Sequence, residues 1–329
     1  MPLKILVIRF SSIGDIVLTT PVLRCLKTQL PDTQIHYATK KQFAGLLSAN
    51  PYIDRIHPFT EKQLPALIDA LDAEKFDLII DLHNNFRSFL IRSNLGIAYK
   101  AFDKLNFQKW LLVHLGINRL PKKHIVDRYL DTVRHLGVVN DGRGLDHFIP
   151  ADQHFTPQQL PAPFSGGFTA FVIGAMHNTK KMPVEKAIAL CNAIQQPVVL
   201  IGGPDDHARG ELIVAGASKP VWNSCGQYSI HQSASLLQLA TRVYAHDTGM
   251  MHIAAALKKD VVSIWGNTIP AFGMYPYFGD AGTLEQQYTL DKILEVNGLR
   301  CRPCSKIGYD ACPKGHFRCM HDIDLSGVR

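Results

Sequence analysis

Short β-branched runs alternate with amphipathic stretches along almost the whole chain, and they do so in two separate series. Such alternation commits a chain to parallel strands joined by helical crossovers, because a parallel neighbour cannot be reached through a tight turn. The first series opens with a strand at 4–10, a turn at 11–15 and a helical pattern carrying Ile16, Val17, Val22, Leu23 and Leu26. Pro21 falls inside that pattern and predicts a kink, since it has no N–H for the carbonyl of Val17. Further apolar runs recur at 34–38, 77–82 and 97–99.

Residues 150–167 carry four prolines, two adjacent glycines and several glutamines, which is linker composition. A second series follows, with strands at 169–174, 197–203, 243–247 and 261–266 and helices near 183–195, 230–241 and 249–258. The predicted class is α/β, as two Rossmann-like doubly wound domains facing a central cleft, with ligands beyond the carboxyl ends of the strands. The expected boundaries are 1–158, 159–298 and a cysteine-rich segment at 299–329. A length of 329 residues suits two cores, and 46% apolar with 19% charged residues is a globular composition. The longest uncharged stretches, at 187–204 and 261–279, are broken by Asn, Gln, Pro and Gly, and the first thirty residues lack a secretory cleavage pattern. A cytoplasmic protein is expected.

The net charge of +7 is concentrated. Between Arg87 and Arg134 there are ten Lys or Arg against three acids, and the rest of the chain is balanced. A clustered positive field speaks of an anionic partner rather than of fold. Phosphorylated lipid, nucleic acid and a merely solvated face are all compatible with it.

Four places could carry chemistry. Residues 9–15 read Arg-Phe-Ser-Ser-Ile-Gly-Asp, which lacks the three glycines of a dinucleotide fingerprint but puts Asp15 at a strand's carboxyl end. Asp15 is either a functional carboxylate or a helix-start acid with Ser11 or Ser12 as N-cap. Residues 247–252 read Asp-Thr-Gly-Met-Met-His, where a strand turns into a helix. Free amides there, the Thr248 hydroxyl and the close approach allowed by Gly249 make an anion site, with His252 in the first turns; the plain reading is a capped helix. Lys180 and Lys181 precede Pro183 and a further helix, either to meet a diphosphate or as solvated lysines. Cys301, Cys304, Cys312 and Cys319 are spaced C-x2-C-x7-C-x6-C. In a reducing compartment four clustered thiols suggest structural zinc, with His316 and His321 as substitute ligands, or else simple packing.

In order and spacing these segments resemble glycosyltransferase family 9, the ADP-heptose:lipopolysaccharide heptosyltransferases. The resemblance runs through 9–15 with Thr19, Thr20 and Pro21, Lys180 to Pro183, 226–230, the Asp-Thr-Gly-x-x-His block at 247–252 with 254–256, and Gly266. Residues 81–88 and 127–129 also match, and coverage is nearly full length. It implies a two-domain GT-B fold and an inverting, metal-independent sugar transfer with no catalytic cofactor. It implies Asp15 as general base, its proton affinity raised by desolvation as the cleft closes, and Asp247, Lys180, Thr248, Gly249, Met250 and His252 around the donor diphosphate. It implies Tyr228 against the adenine, with Asp205 or Asp206 on the ribose. An anionic lipopolysaccharide precursor would be met by Ser12, Gly14, Arg87, Lys100, Lys104, Lys122, Lys123 and Arg128 of the first domain, at the cytoplasmic face of the inner membrane. Met182 stands where the family commonly has an aromatic residue, and the cysteine tail belongs to only some members. Two other readings are a zinc protein that binds nucleic acid and a GT-B nucleotide-sugar epimerase. The first would need aromatic-interleaved basic strands or a recognition helix, which the basic window does not clearly supply.

Overall fold

Strand β1 (Lys4–Ile8) has Ile5, Leu6, Val7 and Ile8 fully buried, so it can only lie at the centre of a sheet covered on both faces. In the computed structural model, which describes residues 2–279 and 292–328, it pairs in parallel with β2 (Gln34–Lys40) and β4 (Leu78–Asp81). The edges are β3 (Arg55–Phe59) and β5 (Tyr99–Ala101), giving the order β3-β2-β1-β4-β5. Burying each such aliphatic side chain contributes roughly 1.5–3 kcal/mol. β3 escapes sequence reading because it is short, polar and contains Pro58, which an edge strand tolerates and a central one does not.

Pro21 does more than kink its helix. The chain forms two helices, Ile13–Val17 and Thr20–Gln29, and Pro21 sits in the first turn of the second. The carbonyls left at the break are taken up locally: Thr19 Oγ1 donates to Ile16 O at 2.7 Å and Thr20 Oγ1 to Val17 O at 2.8 Å. Arg24 on the second helix is fully buried, donating to both carboxylate oxygens of Asp141 at 2.7 Å, to Gly144 O at 2.8 Å and to Asp146.

The second sheet consists of β6 (Thr169–Val172), β7 (Val198–Ile201), β8 (Val221–Asn223), β9 (Arg242–His246), β10 (Val261–Trp265) and β11 (Ile293–Glu295). It is also wholly parallel, in the order β11-β10-β9-β6-β7-β8. The tail is no appendage to this sheet. Cys319, Met320 and Ile323 pack into one apolar cluster with Phe171, Ile173, Met182, Leu200 and Ile264.

The chain divides into two units: residues 2–104 and 123–148 with Gly279, and residues 105–122, 149–278 and 292–328. The division differs from the sequence boundaries at one notable place. Residues 105–122 go with the second unit, where Lys306 Nζ donates to Asn106 Oδ1 and Lys109 Nζ lies 5.9 Å from the Phe272 ring centre. Lys109, Arg119 and Lys122 therefore do not belong to the first unit.

Candidate functional site

The carboxyl end of β1 feeds a turn that folds back on its own arginine. Arg9 Nη2 lies 2.7 Å from Asp15 Oδ1, while the Ser12 amide and hydroxyl donate to Asp15 Oδ2 at 3.1 and 2.9 Å. Arg9 is fixed in turn, donating to Ser11 O at 2.8 Å, Leu82 O at 2.6 Å and Tyr129 Oη at 3.0 Å. Burial alone would raise the Asp15 carboxyl, but the Arg9 guanidinium and the Ser12 hydrogen bonds outweigh it and hold the group below the ordinary carboxylate value. The expectation that desolvation lifts Asp15 is thus reversed. It is an ionised, pre-oriented acceptor with its side chain one-fifth exposed.

His83, at the carboxyl end of β4, was not singled out by the sequence reading. Its ring lies tilted against Phe10 at 4.8 Å between centres, and burial, with Arg9 nearby, pushes it down to about 3. Its Nδ1 is buried with no partner among the described residues. A neutral imidazole with an idle nitrogen beside an ionised carboxylate is a group that could orient a hydroxyl. Asp81, fully buried, spends Oδ1 on the amides of His83 and Asn84 at 2.9 and 2.7 Å and so shapes this loop.

Gly14 is buried and Ser12 exposed. The basic window is partly neutralised where it stands, with Arg87 paired to Glu61 at 2.8 Å and Lys123 to Asp131, while Arg128 is buried and its Nη1 donates to the backbone Asp103 O at 3.2 Å. Lys104 is half-buried and held by contacts of its own. Lys100, Arg119 and Lys122 are exposed and form no ion pair among the described residues.

In the second unit β9 ends at His246, Asp247 and Thr248 make the turn, and the helix Gly249–Ala256 begins. Thr248 is its N-cap without a side-chain cap bond, so the hydroxyl is not spent on the helix, and the opening amides have no partner inside it. Thr248, Gly249 and Met250 are half-buried, whereas His252 is 2% exposed and lies within the packed side. Lys180 Nζ sits 2.6 Å from Asp247 Oδ2, and that oxygen also accepts from Thr268 Oγ1 at 2.8 Å. A carboxylate repels phosphate, so the Asp247 side chain is suited to placing Lys180 rather than to touching the anion itself. Met182 is fully buried and its amide donates to His246 Nε2 at 3.0 Å, which anchors the end of the lysine loop to β9.

Lys181 does not share Lys180's partner; it pairs with Asp206 at 2.8 Å. Asp206 is buried and accepts from the Gly203 amide at 3.1 Å, which leaves Asp205 as the exposed acid of the two. Tyr228 is half-buried, with its ring edge-on to Phe155 at 5.0 Å and to Trp222 at 6.0 Å. Asn267, 2% exposed and two residues beyond β10, has neither amide atom partnered among the described residues. Sequence reasoning passed over it because an Asn in a Gly-Asn-Thr turn reads as turn chemistry.

All seven cysteines are free thiols. Cys301, Cys304, Cys312 and Cys319 are neighbours: burial first, then the other thiols, raises Cys304, and burial with the other thiols, against Arg302, pushes Cys319 up to about 12. Cys301 Sγ lies 3.7 Å from His316 Nε2. The four sulfurs do not converge as tightly as His36, His57 and Glu74, the one group among the described residues with three ligand-type atoms within 4.8 Å of one another. That group is already satisfied: the two imidazoles share a 2.9 Å hydrogen bond, and Glu74 is held by Lys4 and Arg55.

A family model for glycosyltransferase family 9 (heptosyltransferase) matches residues 65–289. The chain belongs to glycosyltransferase family 9. This glycosyltransferase is 26% identical over 280 residues to lipopolysaccharide heptosyltransferase 3 of Escherichia coli K12, covering 79% of this chain and 81% of that one. Among solved structures it resembles E. coli ADP-heptose lipopolysaccharide heptosyltransferase II, with a TM-score of 0.66, 20% identity and coverage of 97% and 98%. It also resembles E. coli heptosyltransferase WaaC with ADP, at 0.65, 21%, 83% and 91%. These likenesses agree with two parallel-sheet α/β domains of the GT-B kind. Membership of family 9 makes the chain a glycosyltransferase, and neither the nucleic-acid nor the epimerase reading is favoured.

Proposed function

We propose that this enzyme transfers heptose, with inversion, from ADP-heptose to the core of a lipopolysaccharide precursor. The observation that carries the reading is the Lys180–Asp247 pair beside the amino end of the Gly249–Ala256 helix. Transfer from a nucleotide sugar needs stabilisation of the charge that develops on the departing diphosphate, and a lysine with free helix amides supplies it without a metal. On this reading Lys180 and the amides of Thr248, Gly249 and Met250 hold the diphosphate, with Asp247 and His252 behind them. Tyr228 lies against the base, and Asp205 serves the ribose, since Asp206 is taken by Lys181.

Asp15 takes the proton of the acceptor hydroxyl as that oxygen attacks the anomeric carbon. Its depressed basicity is offset by placement: an ionised acceptor already oriented by Arg9 and Ser12 needs no reorganisation at the moment of transfer. Ser12, Gly14, Arg87, Lys100, Lys104, Lys122, Lys123 and Arg128 are assigned to the anionic acceptor on this reading.

The precursor lies in a membrane, and the reading includes peripheral contact with its cytoplasmic surface. No helix among the described residues is long and apolar enough to cross a membrane. The helix Asn106–Leu115 has no buried residue, yet Phe107, Trp110 and Leu115 are all about half exposed or more, and residues 104–126 hold five Lys or Arg and no acid. Aromatic side chains on a basic segment suit an anionic interface. The four tail thiols are proposed to take a structural zinc: the donor set is right for that ion and the sulfurs are neighbours, and it would supply cross-linking of the tail and no chemistry to the transfer.

ADP release from ADP-heptose in the presence of heptose-deficient lipopolysaccharide tests the transfer. Turnover that needs both substrates is expected; release that ignores the acceptor sinks the reading. For the tail, about one zinc per chain in protein purified without chelator is expected, and far less removes the metal.

A further inference from the structure

Lys180 is held by a closed ring of contacts that passes through the cysteine-rich tail. One arm runs through Thr179. Its amide donates to Tyr309 O at 3.0 Å, its hydroxyl donates to the same oxygen at 3.0 Å, and that hydroxyl accepts from the Tyr309 amide at 2.8 Å. This is a two-way clasp between the residue next to Lys180 and a backbone 130 residues on. The tail reaches it because it lies flat there: Gly308 has φ +132°, and a Cβ on it would stand 2.5 Å from His177 Cβ. Tyr309 is itself tied to the thiol segment, its hydroxyl donating to Cys304 O at 3.1 Å.

The other arm runs through Arg302. Its guanidinium, with a side chain only 6% exposed, donates to Gly266 O at 2.7 Å and Thr268 O at 2.9 Å and pairs with Glu295 at 2.5 Å. Thr268 then donates to Asp247 Oδ2, which holds Lys180 Nζ at 2.6 Å. Between the arms, Gly266 admits no side chain, since a Cβ would be 2.7 Å from Thr179 O and 2.5 Å from Met320 Cε. The tail therefore grips both the loop that bears Lys180 and the carboxylate that aims it.

We infer that residues 302–309 of the tail are a positioning clasp for the diphosphate-binding lysine, with Thr179, Thr268 and Arg302 as positioning residues that touch no substrate. A flexible lysine placed in advance loses less side-chain freedom when the anion arrives, so the clasp acts on donor affinity and on leaving-group stabilisation, not on the acceptor. The inference rests on Lys180 binding the donor diphosphate, and the experiment separates the two claims.

ADP is titrated against the full chain and its variants by calorimetry, alongside steady-state kinetics in donor and acceptor. Thr179→Val removes both side-chain bonds to Tyr309, Thr268→Val releases Asp247, and Lys180→Gln removes the charge. Each Val variant is expected to weaken ADP binding and donor kcat/KM roughly fivefold to tenfold, the worth of about one hydrogen bond. Acceptor KM should stay within twofold of the parent, and Thr179→Ser should restore the parent values. Two independent arms guard against one variant failing to fold. If Lys180→Gln weakens ADP binding while both Val variants bind it like the parent, the clasp is overturned. If Lys180→Gln itself binds ADP like the parent, the diphosphate reading fails instead.

Discussion

Arg9 Nη2 stands 2.7 Å from Asp15 Oδ1, and this contact decides how the proposed base behaves. A carboxylate inside a folded chain would ordinarily be raised by burial; here the guanidinium and Ser12 turn the shift downward. The group gives up intrinsic basicity and gains permanent ionisation and a fixed direction.

Asp15→Asn is expected to lower kcat by a factor of at least 100 while ADP binding is kept, since general-base assistance contributes about that much. Arg9→Gln leaves burial unopposed by the cation, so the Asp15 carboxyl should rise and the acid limb of kcat/KM should move up by about one pH unit or more. An unchanged pH profile in Arg9→Gln would show that the limb belongs to another group.

Arg24 is a stability prediction. Replacing it by Met leaves Asp141 and Asp146 facing a neutral side chain and should cost about 3 kcal/mol in urea unfolding, as loss of one partner from a buried ionic cluster does. Arg24→Lys should recover little, because a single ammonium cannot reach both oxygens of Asp141 and the Gly144 carbonyl together. A Lys variant as stable as the parent contradicts this.

The His36–His57 pair predicts acid sensitivity. Burial, then the neighbouring His36, pushes His57 down to about 4, with Arg55 and Lys4 acting the same way and Glu74 against them. The folded value lies below the unfolded one of 6.5, so the stabilising effect of the neutral pair is complete above 6.5 and is lost as pH falls toward 4. His57→Phe should therefore flatten the melting temperature across that interval, with the parent losing several degrees more than the variant. Parallel curves would place the acid sensitivity elsewhere.

For the membrane contact, Phe107→Ser with Trp110→Ser should abolish sedimentation with vesicles rich in phosphatidylglycerol, and salt should weaken binding by the parent. Turnover on a short-chain, soluble acceptor should persist. Retained vesicle binding in the double variant would move the contact away from the Asn106–Leu115 helix.

Much of this was legible in the residue order. The two βα series, the turn after β1 that leads into the helix holding Asp15, the strand end before Asp247 and the helix beginning at Gly249 follow from local grammar, because β-branched runs, Pro and Gly act over a few residues. β3, β8 and β11 were missed because edge strands are short and carry little alternation. Residues 105–122 were placed with the wrong neighbours, since the sequence carries no sign that Asn106 meets Lys306.

What the sequence determined by itself was the class of fold and the chemical inventory: a base candidate, a lysine, a helix start and four thiols. Only the tertiary structure decided what each is paired with. Asp15 is lowered because Arg9, six positions earlier and just past the end of β1, turns its guanidinium back on it. Lys180 takes Asp247 and Lys181 takes Asp206, a choice two adjacent identical residues cannot reveal. The tail reaches Thr179 across 130 residues of chain. Charge and hydrogen bonding fall off within a few ångströms, so their outcome depends on which distant residues the fold brings that close.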